Sequence, residues 1–457
     1  MNKKIFYLLL SVLLAPSFLL FAQNGKTYSL QDAIETALQN NPAVNIAQSE
    51  VKKSDAMITQ AHSYKAPKVD LLTKYFYTNN LPGMYLQALN KVPVMTATGP
   101  VAGEFVPMRP MAPYPGNSRD VLTMDLNLVY PFYTGGKIAT ANKNAHLLKN
   151  IFEKNTGQTK AEIAYKVKTA FYNILFLKQA IAVYDKALGQ MQQHLDLAKL
   201  AYEQGVRSEF DVINFESKIE EFKSQIEDLQ GKLIVAKTGL KNLMNVPLAD
   251  SIDCNGRLEI TAAATTSGKE VLKGVHEKNY QLQMLQLKEE LFENLKKINH
   301  ADDLPKLFTF ANYHVYHGMD FPPYDQAWRN GWAAGVGLSF NIFNGNLTKG
   351  KVEEAEANKE TTQHQREGLQ LKLRFEMQSS IEKIASLKAQ LKALEKALTV
   401  AQKGYEIAKI SYKNGVITNV QLEDAHLNIL RVETKILMMK KGLLIEKANL
   451  DFIQGNI

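Results

Sequence analysis

Residues 201–212 read AYEQGVRSEFDV, and residues 411–422 read SYKNGVITNVQL with the same layout. Each stretch places one glycine and several polar residues inside more than a hundred residues of helical pattern. Gly205 and Gly415 can adopt the left-handed backbone that ends a helix. Each stretch is therefore predicted to be a hairpin tip, at 204–209 and 414–418, where one helix ends and an antiparallel helix begins.

The residues after each glycine predict a new helix start. Ser208-Glu-Phe-Asp211 and Thr418-Asn-Val-Gln421 both match the capping box, in which two side chains satisfy amide groups at the first turn. Ser29-Leu-Gln-Asp32 has the same character and predicts the start of a helix over 30–63.

The chain contains an internal duplication of one unit. Gly135 and Gly205 lie 70 residues apart, as do Gly345 and Gly415, and the two pairs are offset by 210 residues. Upstream the offset is 238, because the first copy holds 28 extra residues. The predicted organisation is a signal peptide at 1–22, a first repeat at 23–250, a linker at 251–268 and a second repeat at 269–457.

The helices that lead to the tips are unusually long. Lys137 to Glu203 and Leu347 to Lys413 each cover 67 residues without a proline, or about 100 Å of continuous helix. Beyond the tips, apolar residues recur in alternating steps of three and four, interrupted only at Glu446. This seven-residue period predicts helices that wind around one another.

Four segments alternate in polarity as strands do, at 68–77, 121–130, 307–316 and 333–342. In 121–130, for example, Leu122, Met124 and Leu126 share one face while Thr123 and Asp125 share the other. About ten residues per strand with one apolar face is typical of a membrane-spanning barrel. Four strands are too few to close a barrel, so several chains would have to contribute.

The extra residues of the first copy fall within 79–119, between its two strand segments. This insertion holds seven of the chain's fifteen prolines. It is predicted to be a long surface loop with neither helix nor central strand, because proline disrupts both.

The composition excludes several classes of protein. The net charge is +8 with both signs scattered along the chain, so nucleic-acid binding is not indicated. Lys3 and Lys4 before an apolar run predict an export signal. The chain has one cysteine, so an exported protein of 457 residues must be held together by packing.

Several of these stretches resemble the TolC family of outer-membrane efflux channels. They are YSLQDAIETALQNNP at 28–42, YPFYTGG at 130–136, its counterpart FNIFNG at 340–345, and the two Tyr-x-x-Gly tips. The resemblance covers nearly the whole mature chain, and the matched 70-residue spacings make the set more specific than any single motif.

The resemblance implies a mainly α fold with a membrane β-barrel. A homotrimer would form a 12-stranded β-barrel in the outer membrane, continued by a 12-helix α-barrel across the periplasm. The implied function is the passive exit duct of a tripartite efflux system that carries small molecules. Its partners would be a periplasmic adaptor protein, an inner-membrane transporter and outer-membrane lipid.

The family also implies which residues of this chain meet the pore and the partners. Matching outward from the tips places the pore constriction at Asp211, Asn214, Gln421 and Asp424. An acid is typical at the position of Gln421, so one acidic ring is replaced here. The residues expected to dock the adaptor are Tyr202, Gly205, Val206, Arg207, Ser208, Tyr412, Gly415, Val416, Ile417 and Thr418.

Other functions are less well supported by the sequence. An enzyme needs a convergent site, whereas the nine histidines are dispersed, and no cofactor or metal site is indicated. His314 and His317 form the one close pair, but on a strand they point to opposite faces. Protein secretion through the same kind of duct stays open as an alternative. A structural periplasmic coiled-coil protein is a further alternative, although it would not need the alternating strands.

Overall fold

A computed structural model describes residues 26–78, 91–96, 99–107, 119–260, 278–318 and 328–456. The predicted signal peptide at 1–22 lies outside the described residues. The chain divides into two compact units. We call the one within 1–53, 149–288 and 362–457 the helical unit, and the one within 54–148 and 289–361 the sheet unit.

The elements follow one another in a repeating order. The helices are α1 (Leu30–Asn40), α2 (Pro42–Ser63), α3 (Lys137–Glu203), α4 (Glu209–Met244), α5 (Tyr280–His300), α6 (Leu347–Lys413) and α7 (Asn419–Ile453). The strands are β1 (Lys26–Tyr28), β2 (Lys68–Thr78), β3 (Lys91–Thr96), β4 (Gly99–Pro107), β5 (Arg119–Tyr133), β6 (Ile252–Cys254), β7 (Lys306–His317) and β8 (Arg329–Ser339).

The first helix begins where the sequence predicts and ends earlier. Ser29 and Asp32 form the predicted capping box, with the Ser29 side chain accepting from the Asp32 amide. The single helix expected over 30–63 is wrong, because Asn41 adopts an extended backbone and the chain restarts at Pro42. Proline suits the first position of a helix, since its missing N–H has no partner there anyway.

Each repeat is closed on itself by an asparagine at the start of a helix. The Asn41 side chain donates to the Leu243 carbonyl at 2.8 Å, near the end of α4. Asn279 donates to the Ile453 carbonyl at 2.9 Å, at the end of α7. The same residue type thus ties the start of a helix in each repeat to that repeat's last helix.

The two long helices have the predicted bounds, Lys137–Glu203 and Leu347–Lys413, and 67 residues each. In the helical unit the C-terminal halves of α3 and α6 pack with α4 and α7 through buried apolar side chains, among them Met191, Phe215 and Leu422. Glu446, which interrupts the apolar period, is accommodated by polar partners: it accepts from the Ser380 hydroxyl at 3.0 Å and lies 3.5 Å from the Lys383 ammonium.

The linker between the repeats contributes a strand. Residues of β6 pair in parallel with β1, and Cys254 is opposite Tyr28. Cys254 is buried, and burial raises the pKa of its thiol to about 12. Asp253 beside it pairs with Lys178 at 2.7 Å and with Lys237 at 3.0 Å.

The sheet unit is built on four antiparallel strands in the order β2-β5-β7-β8. Directly opposed residues share a face, so the register defines two sides. One row across the sheet is Leu71–Leu126–Tyr313–Trp332. We call this side the apolar face. The other side carries rows such as Asp70–Asn127–Asn312–Ala333 and is called the mixed face.

Two strand predictions need correction. The segment expected at 333–342 is shifted: β8 covers Arg329–Ser339, so Phe340 and Ile342 lie beyond its end. The insertion 79–119 is not loop throughout, since β3 and β4 form a separate antiparallel pair within it. This pair stands outside the four-stranded sheet, which is compatible with its prolines, because proline is tolerated in edge strands.

Across the described residues, none of the helices combines the length and the apolar character that a bilayer-spanning helix requires.

Candidate functional site

Both tips end their first helix in the predicted way. Gly205 has a φ of +69° and Gly415 a φ of +73°. At the first tip the Gly205 N–H donates to the Tyr202 carbonyl at 2.9 Å, and the Val206 N–H donates to the Ala201 carbonyl at 2.9 Å. These two bonds satisfy carbonyls that a helix end otherwise leaves unpaired. The second tip repeats the arrangement.

The helix that leaves each tip starts differently in the two copies. At the second tip the predicted capping box is confirmed: the Thr418 N–H donates to Gln421 Oε1 at 3.0 Å, and the Gln421 N–H donates to Thr418 Oγ1 at 3.3 Å. The capping box predicted at Ser208 is wrong, because its side chain makes no cap hydrogen bond. Ser208 and its surroundings are exposed, so water can serve the free amides in its place.

The four residues predicted for the constriction lie near the starts of α4 and α7. Asp211 and Asn214 are half-buried, while Gln421 and Asp424 are exposed. Gln421 is occupied as the capping partner of Thr418. Among the described residues the Asp424 carboxylate has no hydrogen-bond or ion-pair partner within its protomer, whereas the side-chain amide of Asn214 has a hydrogen-bond partner.

Asn214 is hydrogen-bonded to the carboxylate of Glu423, which is not among the residues predicted for the constriction. Its side-chain amide donates to Glu423 Oε2 at 3.2 Å. Glu423 is only 6% exposed and its other oxygen lies 3.4 Å from the Lys218 ammonium. The pKa of Lys218 is raised, first by its hydrogen bond to Glu221 and further by the Glu423 charge. An ion pair between a half-buried lysine and a buried carboxylate therefore joins α4 to α7 just behind the tips.

The two tips are also joined directly. Arg207 donates from Nη2 to the Tyr412 carbonyl at 2.8 Å, and its guanidinium lies 4.4 Å from the centroid of the Tyr412 ring. Guanidinium over an aromatic face adds a favourable electrostatic contact. Tyr412 is buried, so it positions the tips and offers little surface to a partner.

The remaining tip residues expected to dock a partner differ in accessibility. Val206 is 71% exposed and Val416 is 75% exposed, and Tyr202 is exposed as well. Gly205, Ser208, Gly415 and Thr418 are also exposed, whereas Ile417 is half-buried. Among the residues expected to dock a partner, Val206 and Val416 are therefore the most exposed apolar side chains.

A buried aromatic cluster close to the tips was not predicted from the sequence. His194 Nε2 lies 2.8 Å from the Tyr405 hydroxyl, and His426 Nε2 lies 2.8 Å from Gln190 Oε1. The rings of Tyr405 and His426 stack with centroids 5.3 Å apart. Burial lowers the pKa of His426 to about 4 and also lowers the pKa of His194. The two histidines are neutral near pH 7, as packing in an apolar seam requires.

No feature of the sequence predicts that His194 and His426 lie close together. His194 lies on α3 and His426 on α7, in different copies of the repeat. Their contact depends on how the two hairpins pack, which neither helical period nor capping motif encodes. The part of the chain that the structure describes holds no group of three or more His, Cys, Asp or Glu side chains placed to bind a metal ion.

Comparisons with known proteins agree with this architecture. The profile of the outer membrane efflux protein family matches residues 33–246 and 271–456. A comparison with curated protein sequences gives no significant match.

Among solved structures, the outer membrane protein VceC from Vibrio cholerae superposes with a TM-score of 0.74 at 17% identity, covering 93% of this chain and 96% of that one. The MtrE outer membrane channel from Neisseria gonorrhoeae gives 0.73 at 14% identity, covering 93% and 89%. The CmeC outer membrane channel from Campylobacter jejuni gives 0.71 at 15% identity, covering 93% and 85%. At these identities the likeness establishes the fold.

The fold class predicted from the sequence, mainly α with strands for a membrane barrel, is confirmed by these matches. The duplicated match of the family profile parallels the duplication read from the glycine spacings. Such proteins are conduits and carry out no bond-making chemistry, so the enzyme class is excluded on grounds of family. The chain belongs to the outer membrane efflux protein family and serves as an exit duct through the outer membrane.

Proposed function

We propose that three copies of this chain assemble into one duct that receives small molecules from an adaptor and an inner-membrane transporter. The observation that most strongly supports this assembly is the four-stranded sheet. In the described residues β2 pairs only with β5 and β8 only with β7, so each edge strand has one unpaired side. Backbone groups facing lipid must be paired, and only a closed barrel pairs them all. Three sheets of four strands supply twelve.

The apolar face supports a membrane position for this barrel. Trp332 is 77% exposed in the protomer, and Leu71, Tyr75, Val336 and Leu338 are strongly exposed too. A contiguous apolar surface of this kind marks contact with lipid or protein. The mixed face would then turn towards the lumen.

The long helices support the same assembly. Phe375 on α6 is 74% exposed, and Leu371, Val400, Ile407 and Ile410 on the same helix are exposed as well. These side chains find no cover within the described protomer. Neighbouring copies would bury them, giving a helical barrel of three chains.

We further propose that the tips form the entrance and the docking surface. Asp211 and Asp424, repeated threefold, would place six carboxylates around the opening, with Asn214 and Gln421 beside them. Val206 and Val416 would present the apolar contact for the adaptor. Residues 1–22 are proposed as the export signal, and 23–250 and 269–457 as the two repeats joined by 251–268.

The assembly is tested with the mature protein purified in detergent. Light scattering should give the mass of a trimer, and planar bilayers should show discrete conductance steps. A stable monomer without conductance would contradict the proposal.

The entrance is tested by replacing both Asp211 and Asp424 with Ala. Because carboxylate rings favour cations, the double variant should lose cation preference in reversal-potential measurements. Replacing Glu209, an exposed acid outside the set, with Ala is the matched control and should leave the preference in place. Unchanged selectivity in the double variant would show that the two aspartates do not line the opening.

A further inference from the structure

The mixed face of the sheet carries a row of rings along β7. Its members are Phe308, Phe310, His314 and Tyr316, with Asn312 in the middle. They alternate with the side chains of the apolar face, so they share one side of the strand. The row covers nine residues of strand, or about 27 Å, at the usual rise of about 3.4 Å per residue. It therefore runs along most of the height of the sheet.

Three of these rings lie opposite glycines of β8. Phe308 is paired with Gly337, Phe310 with Gly335 and His314 with Gly331. Glycine in a strand interior costs stability and commonly marks a place where another group approaches closely. Three such glycines on one face, each matched to a ring, indicate that the space above the strand is used.

The rings occupy the space that side chains on β8 would need. A Cβ at Gly337 would lie 2.3 Å from the Phe308 ring, and one at Gly331 would lie 2.8 Å from the His314 ring. At Gly335 the distance to the Phe310 ring would be 3.1 Å. The rings thus lean sideways over the β8 backbone, which leaves flat aromatic surface open on the mixed face. Phe310 remains 36% exposed.

The upper end of the row borders a recess. His314 and Tyr316 are nearly parallel, with ring centroids 6.0 Å apart and an interplanar angle of 19°. Together with Thr123, Asp125 and Val315 they line a recess of about 360 Å³. Arg329 is paired with Tyr316 across the sheet, so the charge around the recess is mixed. The aromatic rings are the feature that the whole row has in common.

We propose that this row is a binding track for flat aromatic solutes, with its strongest subsite at the His314–Tyr316 recess. The inference rests on the proposed trimer, in which the mixed face lines the lumen and three tracks surround it. Aromatic rings attract one another in offset or edge-to-face arrangements beyond the area they bury. A flat solute would therefore pass along the row by stacking on successive rings, and a compact aliphatic solute of equal charge would not be retained.

The test is equilibrium dialysis of the detergent-solubilised protein against two monovalent cations, N-methylacridinium and tetrapropylammonium. Detergent alone gives the micelle background, and light scattering on the same sample gives the oligomeric state. The native trimer should bind N-methylacridinium at least tenfold more tightly than tetrapropylammonium. Asp125 lines the recess, which is why both probes are cations.

The variant Phe310→Leu keeps an apolar side chain on the strand and removes the ring. It should weaken N-methylacridinium binding by about three- to tenfold, the range expected for one aromatic pair. Tyr316→Leu should act in the same direction. Tyr313→Leu, on the same strand but on the apolar face, is the matched control and should leave binding unchanged.

A trimer that binds both cations equally would overturn the track and leave the proposed duct standing. An equal loss in Phe310→Leu and Tyr313→Leu would also overturn it, because the solute would then be binding without regard to face. A monomer in light scattering would remove the lumen and with it both proposals. If Phe310→Leu fails to assemble, Tyr316→Leu provides the same comparison.

Discussion

The two hairpin tips end their incoming helices in the same way but start their outgoing helices differently. Both end a long helix with a left-handed glycine and two closing hydrogen bonds. The second tip then starts its outgoing helix with a full capping box, whereas Ser208 at the first tip makes no such bond. The second tip also buries Glu423, whose counterpart in the first copy is the exposed Ile213. The first tip in turn supplies Arg207, which holds Tyr412.

The difference teaches that the tips are complementary halves. The first tip has an arginine and an amide that reach outward, and the second has a carbonyl and a buried carboxylate that receive them. The two copies share the turn. Their polar side chains differ, and those of one tip bond groups of the other, so the pair forms one polar junction.

Acid should affect the contact between the two hairpins most strongly. His426 has a folded pKa of about 4 against an ordinary value of about 6.5. Between these values the unfolded chain binds more protons, so stability is complete above about pH 6.5 and is lost as the pH falls towards 4. Urea unfolding followed by circular dichroism should show native protein losing about 2 to 3 kcal/mol more than His426→Gln between pH 7 and pH 4.5. Equal losses would show that His426 does not oppose protonation.

The buried carboxylate gives the next largest effect. Glu423→Ala should cost about 2 kcal/mol, because Asn214 loses its acceptor and Lys218 loses one of its two acidic partners. The equivalent change in the first copy, Ile213→Ala, removes an exposed side chain and should cost less than about 0.5 kcal/mol. Urea unfolding at fixed protein concentration measures both. Similar costs would contradict the asymmetry between the tips.

The glycines should behave alike, since the turn is what the copies share. Gly205→Ala and Gly415→Ala each force a side chain into a positive φ and should each cost about 1 to 2 kcal/mol. A Cβ at either position meets open space, so the cost is conformational alone. Hydrogen exchange of the tip amides should rise in both variants. An effect at only one tip would show that the two turns are not equivalent.

The caps should give the smallest effect and the sharpest contrast. Thr418→Ala removes the acceptor of the Gln421 amide and should speed exchange of that amide about fivefold, as a loss of about 1 kcal/mol implies. Ser208→Ala should leave the exchange of the Asp211 amide unchanged, because that amide donates to the Ser208 carbonyl. Faster exchange after Ser208→Ala would restore the predicted capping box at the first tip.

A related measurement concerns the thiol in the linker. Because burial raises the pKa of Cys254 to about 12, the thiolate that reacts with disulfide reagents is scarce at neutral pH. Native protein should therefore react slowly with such a reagent, and urea-unfolded protein should react at once. Rapid labelling of the folded protein would show that the β1–β6 pairing opens.

What could be predicted from the sequence was whatever is local. The glycine stops, the Thr418 cap and the bounds of both 67-residue helices depend on a few neighbouring residues or on a regular period. Glu423 could not be placed, because its burial is decided by α4 from the other copy. The His194–His426 cluster was missed for the same reason.

The strands show the same limit at their ends. Alternation located all four, but β8 was placed a few residues late because Phe340 and Ile342 continue the apolar alternation beyond the last pairing residue, Ser339. The row of rings over glycines was equally hidden, since register is set by pairing between strands. The single helix expected over 30–63 failed at Asn41, whose side chain bonds a carbonyl two hundred residues away.

The side chains of Asn41 and Asn279 each donate to a carbonyl within their own repeat. The covalent connection between the two repeats is therefore not needed to hold either repeat closed. A gene cut within residues 261–277, after the strand that pairs with β1, should yield two polypeptides that together rebuild a working protomer when an export signal is also placed before the second one.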